Sequence, residues 1–96
     1  MTRDDVIQRL AANRAEVASF GVSAIFVFGS AARNEAHEQS DVDLLVDFAR
    51  PIGLFEFMRL RRILSDLLGR PVDLVTRAAL KPQLRDRILA EAIRAT

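Results

Sequence analysis

Apolar positions along this chain follow two patterns, helical spacing in some stretches and short runs in others, which predicts helices alternating with buried strands. Helical spacing appears in three stretches: Val6, Ile7, Leu10, Ala11, Val17 and Ala18; Leu54, Phe57, Met58, Leu64, Leu67 and Leu68; and Leu84, Ile88, Leu89, Ala92 and Ile93. Apolar-rich runs over residues 23–28, 41–48 and 71–76 predict three strands. With a short helix expected over residues 30–33, the predicted order is α-β-α-β-α-β-α.

Residues that start or stop regular structure mark the boundaries of these elements. Thr2 followed by Asp5 has the spacing of a capping box, which predicts the start of a first helix that Gly21 should end. Gly69 predicts the end of the long middle helix, and Pro82 suits the first turn of the last one. The predicted fold class is α/β (α+β), a small mixed sheet of three or more strands flanked by helices.

Length and composition narrow the class of protein. The 96 residues, half of them apolar, suffice for a modest core, so we expect one domain over residues 1–96. The net charge of +1 argues neither for nor against nucleic-acid binding. The lack of Trp, Tyr and any basic cluster argues against sequence-specific nucleic-acid binding. The absence of cysteine excludes disulfides and thiolate zinc sites. Without a signal-like start or an apolar stretch of about 20 residues, the expected location is the cytoplasm, with no membrane partner.

Two carboxylates one residue apart open the second predicted strand. Side chains alternate faces along a strand, so Asp41 and Asp43 should project from the side opposite the apolar Val42. Like charges held this close repel each other, and a divalent cation such as Mg2+ is the natural partner for such oxygen ligands. The alternative is a pair of exposed carboxylates at a strand entrance. Asp47 continues the alternation but is expected to be a solvated strand end.

The turn between the first strand and the short helix is a candidate phosphate site. Gly29 allows a ligand to approach the backbone closely, and a helix starting at Ser30 would direct free N–H groups and a hydroxyl at an anion. Arg33 falls on the same helical face and could reach phosphates or an acidic patch of a partner. The alternatives are an ordinary turn in which Ser30 is only an N-cap, and a solvated arginine.

A third carboxylate, Asp73, lies between two apolar residues of the third predicted strand, an unusual place for an isolated acid. If this strand lies beside the second, Asp73 can join Asp41 and Asp43 on one face. The alternative is an edge strand from which Asp73 faces water. His37, the only histidine, lies in a polar loop and is assigned neither to a metal nor to base catalysis.

Gly29-Ser30, a polar spacer and then Asp41-x-Asp43 resemble the signature of the nucleotidyltransferase superfamily of DNA polymerase beta. The flanking residues are similar, more narrowly, to minimal nucleotidyltransferases, the antitoxins of two-gene pairs with HEPN ribonuclease toxins. The resemblance spans nearly the whole chain. That family usually has a glycine after the arginine of the Gly-Ser-x-Ala-Arg segment, where this sequence has Asn34, a residue type that tolerates left-handed backbone.

The resemblance implies an ATP-dependent protein adenylyltransferase. The implied catalytic and metal-binding residues are Asp41, Asp43 and Asp73, and the implied nucleotide-binding residues are Gly29, Ser30 and Arg33. Two Mg2+ ions would lie about 3.5–4 Å apart, and the third carboxylate would also help to deprotonate the attacking hydroxyl. The implied reaction moves AMP from ATP to a tyrosine hydroxyl of the HEPN toxin and thereby blocks its ribonuclease site.

Two other functions stay open from the sequence. A non-catalytic antitoxin could neutralise its partner by occlusion; Asn34 in the glycine position is a mild argument for it, and the retained aspartates argue against it. Nucleotidyl transfer to a small molecule ranks last, because such relatives generally carry a further acceptor-binding domain. The short chain has no obvious second domain to hold an acceptor, which favours a protein partner. Whether it acts as a homo-oligomer or in a hetero-complex is open.

Overall fold

The computed structural model describes residues 1–35 and 41–96, so the predictions for His37 and for most of the polar loop lie outside the described residues. The helices are α1 (Arg3–Ala12), α2 (Arg14–Ala18), α3 (Gly29–Ala32), α4 (Leu54–Leu68) and α5 (Pro82–Glu91), with a 3₁₀ turn at Arg77–Ala79. The strands are β1 (Val22–Phe28), β2 (Val42–Phe48), β3 (Val72–Val75) and β4 (Ile93–Arg94). The predicted α+β class is confirmed.

The strands form one mixed sheet in the order β3-β2-β1-β4, with β1 antiparallel to β2 and β4 and with β3 parallel to β2. The three predicted strands are confirmed to within one residue at each end. The strand β4 was missed, because the spacing of Ile93 assigned it to the last helix. The backbone instead becomes extended at Ala92, and the Ala95 N–H donates to the Ile25 carbonyl at 2.7 Å. Pairing with β1 gives these backbone groups partners and outweighs the helical spacing.

The N-terminal helical segment starts as predicted. The Thr2 N–H donates to the Asp5 carboxylate at 2.9 Å, which lowers the pKa of Asp5, and the Asp5 N–H donates to the Thr2 hydroxyl at 3.2 Å. The prediction of one unbroken helix as far as Gly21 is wrong, because α1 ends at Asn13 and α2 follows. The Asn13 side chain donates to the Arg9 carbonyl at 2.8 Å, a local bond of the kind that competes with helix continuation.

Helices cover both faces of the sheet, as predicted for β1. On one face a large cluster joins α1, α2 and α4 to the strands, and Leu44 and Leu64 are fully buried in it. On the other face a smaller cluster around Leu45 and Leu80 packs against α5. Because side chains alternate along β2, Asp43 projects to the same face as Leu45, which is the α5 side.

Helix α4 ends at Gly69, whose φ of +67° is the left-handed cap that the sequence predicts. Near its N-terminus, Phe57 packs against the core with its ring centroid 6.3 Å from that of Phe48. Phe55 and Met58 are instead 87% and 52% exposed. Across the part of the chain that the structure describes, no helix is both long and apolar enough to cross a bilayer.

Candidate active site

Strand direction brings three segments of the chain to one end of the sheet. The antiparallel pairing of β1 and β2 places Phe28, at the end of β1, opposite Asp43 near the start of β2. The parallel pairing of β2 and β3 places Asp43 opposite Asp73. Residues in register on neighbouring strands project to the same face. The turn at Gly29 and these two carboxylates therefore lie side by side, and β3 does lie beside β2 as a shared site requires.

The three predicted carboxylates differ in their exposure to water. Asp43 is half-buried, whereas Asp41, directly before β2, and Asp73, on the edge strand β3, are exposed. The exposure of Asp73 agrees with the edge-strand alternative, while its register with Asp43 agrees with a common site. Among residues 1–35 and 41–96, the acidic side chains are not drawn together into a ready-made metal cage.

The surroundings of Asp43 disfavour the ionised form of its carboxyl. Burial raises the pKa of its carboxyl above the ordinary value, and the negative charges of Asp73 and Asp41 raise it further, while Arg33 acts in the opposite direction. Within the described residues, the ion pairs do not include Asp43. A cation between these carboxylates would remove the repulsion, so the donor set fits a divalent ion that prefers oxygen ligands.

Gly29 permits the close approach of the turn to Asp43. Its φ is +69°, and a Cβ atom at this position would collide with Asp43 Oδ2 and lie 3.1 Å from Asp43 Cγ. Both the backbone conformation and the neighbouring carboxylate therefore exclude a side chain here.

Helix α3 begins at Gly29 with Phe28 as its N-cap, so the predicted helix start at Ser30 is one residue late and Ser30 is not the N-cap. Ser30 is half-buried, and its hydroxyl makes no hydrogen bond to any other described residue. Binding of a ligand by that hydroxyl stays a prediction.

The residue that replaces the usual glycine leaves the following turn intact. Asn34 has a φ of +57°, which confirms its predicted tolerance of left-handed backbone. Its Oδ1 accepts a hydrogen bond from the Arg3 N–H at 2.8 Å, and the Glu35 N–H donates to the Ser30 carbonyl at 2.8 Å. The side chain and the backbone therefore both stabilise this turn.

Arg33 is engaged by two carboxylates. Its Nε donates to Glu35 at 3.0 Å and its Nη1 to Glu91 at 2.9 Å, and the bonds to Glu35 and Glu91 raise the pKa of Arg33. The alternative of a merely solvated arginine is therefore wrong. Phosphate binding by Arg33 stays a prediction.

Glu91 is a residue of this region that sequence reasoning missed. Besides Arg33, its carboxylate accepts a hydrogen bond from the Gly29 N–H at 3.0 Å. One local signal was present: Glu91 lies at the C-terminal end of a helix, where the helix dipole disfavours a negative charge.

The expectation that Asp47 is a solvated strand end is wrong. Arg77 donates to its two carboxylate oxygens at 2.9 and 3.1 Å, and the guanidinium carbon lies 5.3 Å from the centre of the Phe26 ring. These bonds raise the pKa of Arg77. The pair ties the 3₁₀ turn after β3 to β2, so Asp47 has a structural role apart from the carboxylates at the other end of the strand.

Known proteins are similar to this chain in fold and in sequence. The profile of the nucleotidyltransferase domain matches residues 9–95. The protein adenylyltransferase MntA of Thermococcus cleftensis is 42% identical over 94 residues, which cover 97% of this chain and 95% of that protein. A solved structure provisionally described as a minimal nucleotidyltransferase superposes with a TM-score of 0.82 at 42% identity and covers 97% of this chain and 95% of its own.

A more distant likeness is to a chain in the complex of tri-AMPylated Shewanella oneidensis HEPN toxin with MNT antitoxin. Its TM-score is 0.69 at 17% identity, over 99% of this chain and 72% of that one. At this level of identity the likeness concerns the fold alone.

Replacing Gly29 by alanine should destabilise the protein. A left-handed φ costs a non-glycine residue roughly 1–2 kcal/mol, and the new methyl group would press on the Asp43 carboxylate. We expect the melting temperature to fall by at least roughly 5 °C in thermal unfolding followed by circular dichroism. Gly53→Ala is the matched control, because Gly53 has an ordinary φ of −76° and open space around it. Equal effects of the two substitutions would contradict the close approach.

Asp43→Asn should stabilise the metal-free protein at neutral pH. Folding raises the Asp43 pKa, so the native state binds the proton more tightly, and stability falls as pH rises from the unfolded value of 3.8 through the raised pKa. Removing the charge should add roughly 0.5–2 kcal/mol at neutral pH and flatten this pH dependence. Thermal unfolding in EDTA from acidic to neutral pH is the measurement, with the exposed Asp86→Asn as control. A lower melting temperature for Asp43→Asn than for wild type at neutral pH would contradict the repulsion.

Proposed function

The chain belongs to the nucleotidyltransferase domain family, and from this premise we propose that it transfers AMP from ATP to a hydroxyl group of a partner protein. The observation that carries this proposal is the strand register in which Phe28 pairs with Asp43 and Asp43 with Asp73. It gathers the Gly-Ser turn and two carboxylates at one end of the sheet. The chain is similar over nearly its full length to the protein adenylyltransferase MntA, and this similarity supports AMP as the group transferred.

In this proposal Asp41, Asp43 and Asp73 hold Mg2+, and the Gly29-Ser30 turn holds the nucleotide. Bound Mg2+ would neutralise phosphate charge and lower the pKa of the attacking hydroxyl. Asp43 is the fixed member of the set, because it is half-buried in a strand whose alternate residues lie in the core. The exposed Asp41 and Asp73 adjust around it, and the Ser30 hydroxyl donates to a phosphate oxygen.

The proposed reaction is an in-line displacement at the α-phosphorus of ATP. The acceptor oxygen forms a bond to the α-phosphorus, the bond from that phosphorus to the oxygen bridging toward the β-phosphorus breaks, and pyrophosphate leaves. The hydroxyl proton passes to a carboxylate oxygen of Asp73. Asp73 suits that step because it is exposed on the edge strand β3, where a hydroxyl carried by another protein can reach it.

The proposed partner is a HEPN ribonuclease toxin, and the proposed acceptor is one of its tyrosines. The support is the shared fold with a chain in the complex of an AMPylated HEPN toxin and its antitoxin. The one sequence argument for a purely occluding antitoxin was Asn34 in place of the usual glycine. That argument is weakened, because Asn34 adopts the backbone conformation that a glycine would. No feature of the described residues favours a small-molecule acceptor over a protein.

Incubation with a HEPN-domain protein from the same organism, ATP and Mg2+ should add one or more AMP units to that protein. Intact-mass spectrometry measures the gain, and tryptic mapping identifies the acceptor residue. Asp43→Asn should slow the gain by at least about 100-fold, since losing a partner of a metal ligand alone costs about 10- to 100-fold. EDTA should stop it. Asp86→Asn on α5 is the matched control, because that carboxylate is exposed and belongs to none of the segments that form the candidate site.

A stable complex that silences the toxin without any mass gain would contradict catalysis and leave an occluding antitoxin. A mass gain that Asp43→Asn leaves unchanged would contradict the assigned site. Modification of a serine or threonine instead of a tyrosine would overturn only the acceptor.

A further inference from the structure

Glu91, the last residue of α5, connects the two ends of α3. Its Oε1 accepts a hydrogen bond from the Gly29 N–H at 3.0 Å, and its Oε2 accepts one from Arg33 Nη1 at 2.9 Å. Gly29 is the first residue of α3 and Arg33 is its C-terminal cap. The Glu91 side chain is only 25% exposed. The bond from the Gly29 N–H is therefore partly shielded from water, whereas the bond from Arg33 lies at the surface. Both have a charged acceptor, and such bonds are stronger than those between neutral groups.

Helix α3 depends on support of this kind. It has four residues, and a single isolated turn is unfavourable because several residues must be fixed to gain one hydrogen bond. Its N-cap, Phe28, offers no side-chain acceptor to the free N–H groups of the first turn. Glu91 supplies that acceptor from a helix 62 positions away along the chain.

Two electrostatic effects at Glu91 are unfavourable, and its hydrogen bonds must outweigh them. A negative charge at the C-terminal end of α5 is opposed by the helix dipole. Glu91 also contributes to raising the pKa of Asp43, so it adds to the repulsion at the carboxylates. Arg33 offsets this effect, because the same guanidinium that binds Glu91 favours the ionised form of Asp43.

We propose that Glu91 is a positioning residue that holds the turn from Gly29 to Arg33, and through it the Ser30 hydroxyl, in the orientation that binds nucleotide phosphates. This inference rests on the proposed nucleotidyl transfer. A rival assignment, in which the Glu91 carboxylate occupies donors that phosphate must take over, predicts the opposite sign. Removing the carboxylate would then strengthen ATP binding.

Steady-state kinetics of AMP transfer separates the two assignments. Glu91→Ala should raise KM for ATP by about 10- to 100-fold. We expect the turn of this variant to be disordered before ATP binds, so the loss should fall on ATP binding and kcat should change much less. Glu91→Gln should restore most of the affinity, since its amide oxygen can still accept from the Gly29 N–H. Asp86→Asn, on the exposed part of the same helix, should match wild type. A KM that is unchanged or lower in Glu91→Ala overturns the proposal.

A second measurement does not require activity. The Gly29 amide should exchange its hydrogen slowly in the wild type, and about tenfold faster or more in Glu91→Ala, as followed by NMR of the labelled full chain. Fluorescence titration with a labelled ATP analogue should show weaker binding for the same variant. If wild type transfers no AMP, the proposed function fails, and these two readouts still decide the role of Glu91. Unchanged exchange and unchanged binding in Glu91→Ala overturn it.

Discussion

Burial of the Asp43 carboxylate beside two other carboxylates is the unfavourable interaction that the packing of this small sheet must offset. Burial and the charges of Asp73 and Asp41 all disfavour an ionised Asp43. The flanking residues of β2 oppose that cost, because Val42 and Leu44 are almost fully buried on the other face. Burial of one such side chain contributes roughly 1.5–3 kcal/mol of stability. The apolar face of β2 therefore opposes the unfavourable burial of the charge on its opposite face.

A second constraint is the contact between the turn after β1 and Asp43. Only glycine combines the positive φ of Gly29 with the absence of a Cβ atom against that carboxylate. The close approach leaves α3 as a single turn without a side-chain N-cap, and its support comes from Glu91 on α5. The smaller hydrophobic cluster around Leu45 and Leu80 positions α5 for this contact. The packing of the last helix is thus connected to the geometry of the candidate nucleotide site.

Local patterns predicted the parts of this protein that depend on local interactions. The strands β1 to β3 follow from apolar runs, and the cap at Gly69 follows from glycine stereochemistry. The parallel register of Asp43 with Asp73 could be stated only as a condition. Strand order depends on contacts between segments that are distant in sequence, and no spacing within one strand encodes it.

Apart from the helix break at Asn13, the features that sequence reasoning missed are non-local. Strand β4 forms because β1 offers an open edge, although the helical spacing of Ile93 suggests otherwise. Arg77 reaches Asp47 across the sheet, and Glu91 reaches Gly29 from the end of α5. Each pairs a charged side chain with a group far along the chain. Composition and periodicity carry no information about such pairs, although an acidic residue at a helix C-terminus is a local conflict that points to one.

The central question is whether the carboxylates at the start of β2 and β3 bind a cation together. Anomalous diffraction from crystals containing Mn2+ and a non-hydrolysable ATP analogue measures this. We predict a peak within about 2–2.5 Å of carboxylate oxygens of Asp43 and of at least one of Asp41 and Asp73, and its loss in Asp43→Asn crystals. An ordered nucleotide with no such peak, or with a metal bound only elsewhere, would contradict the account.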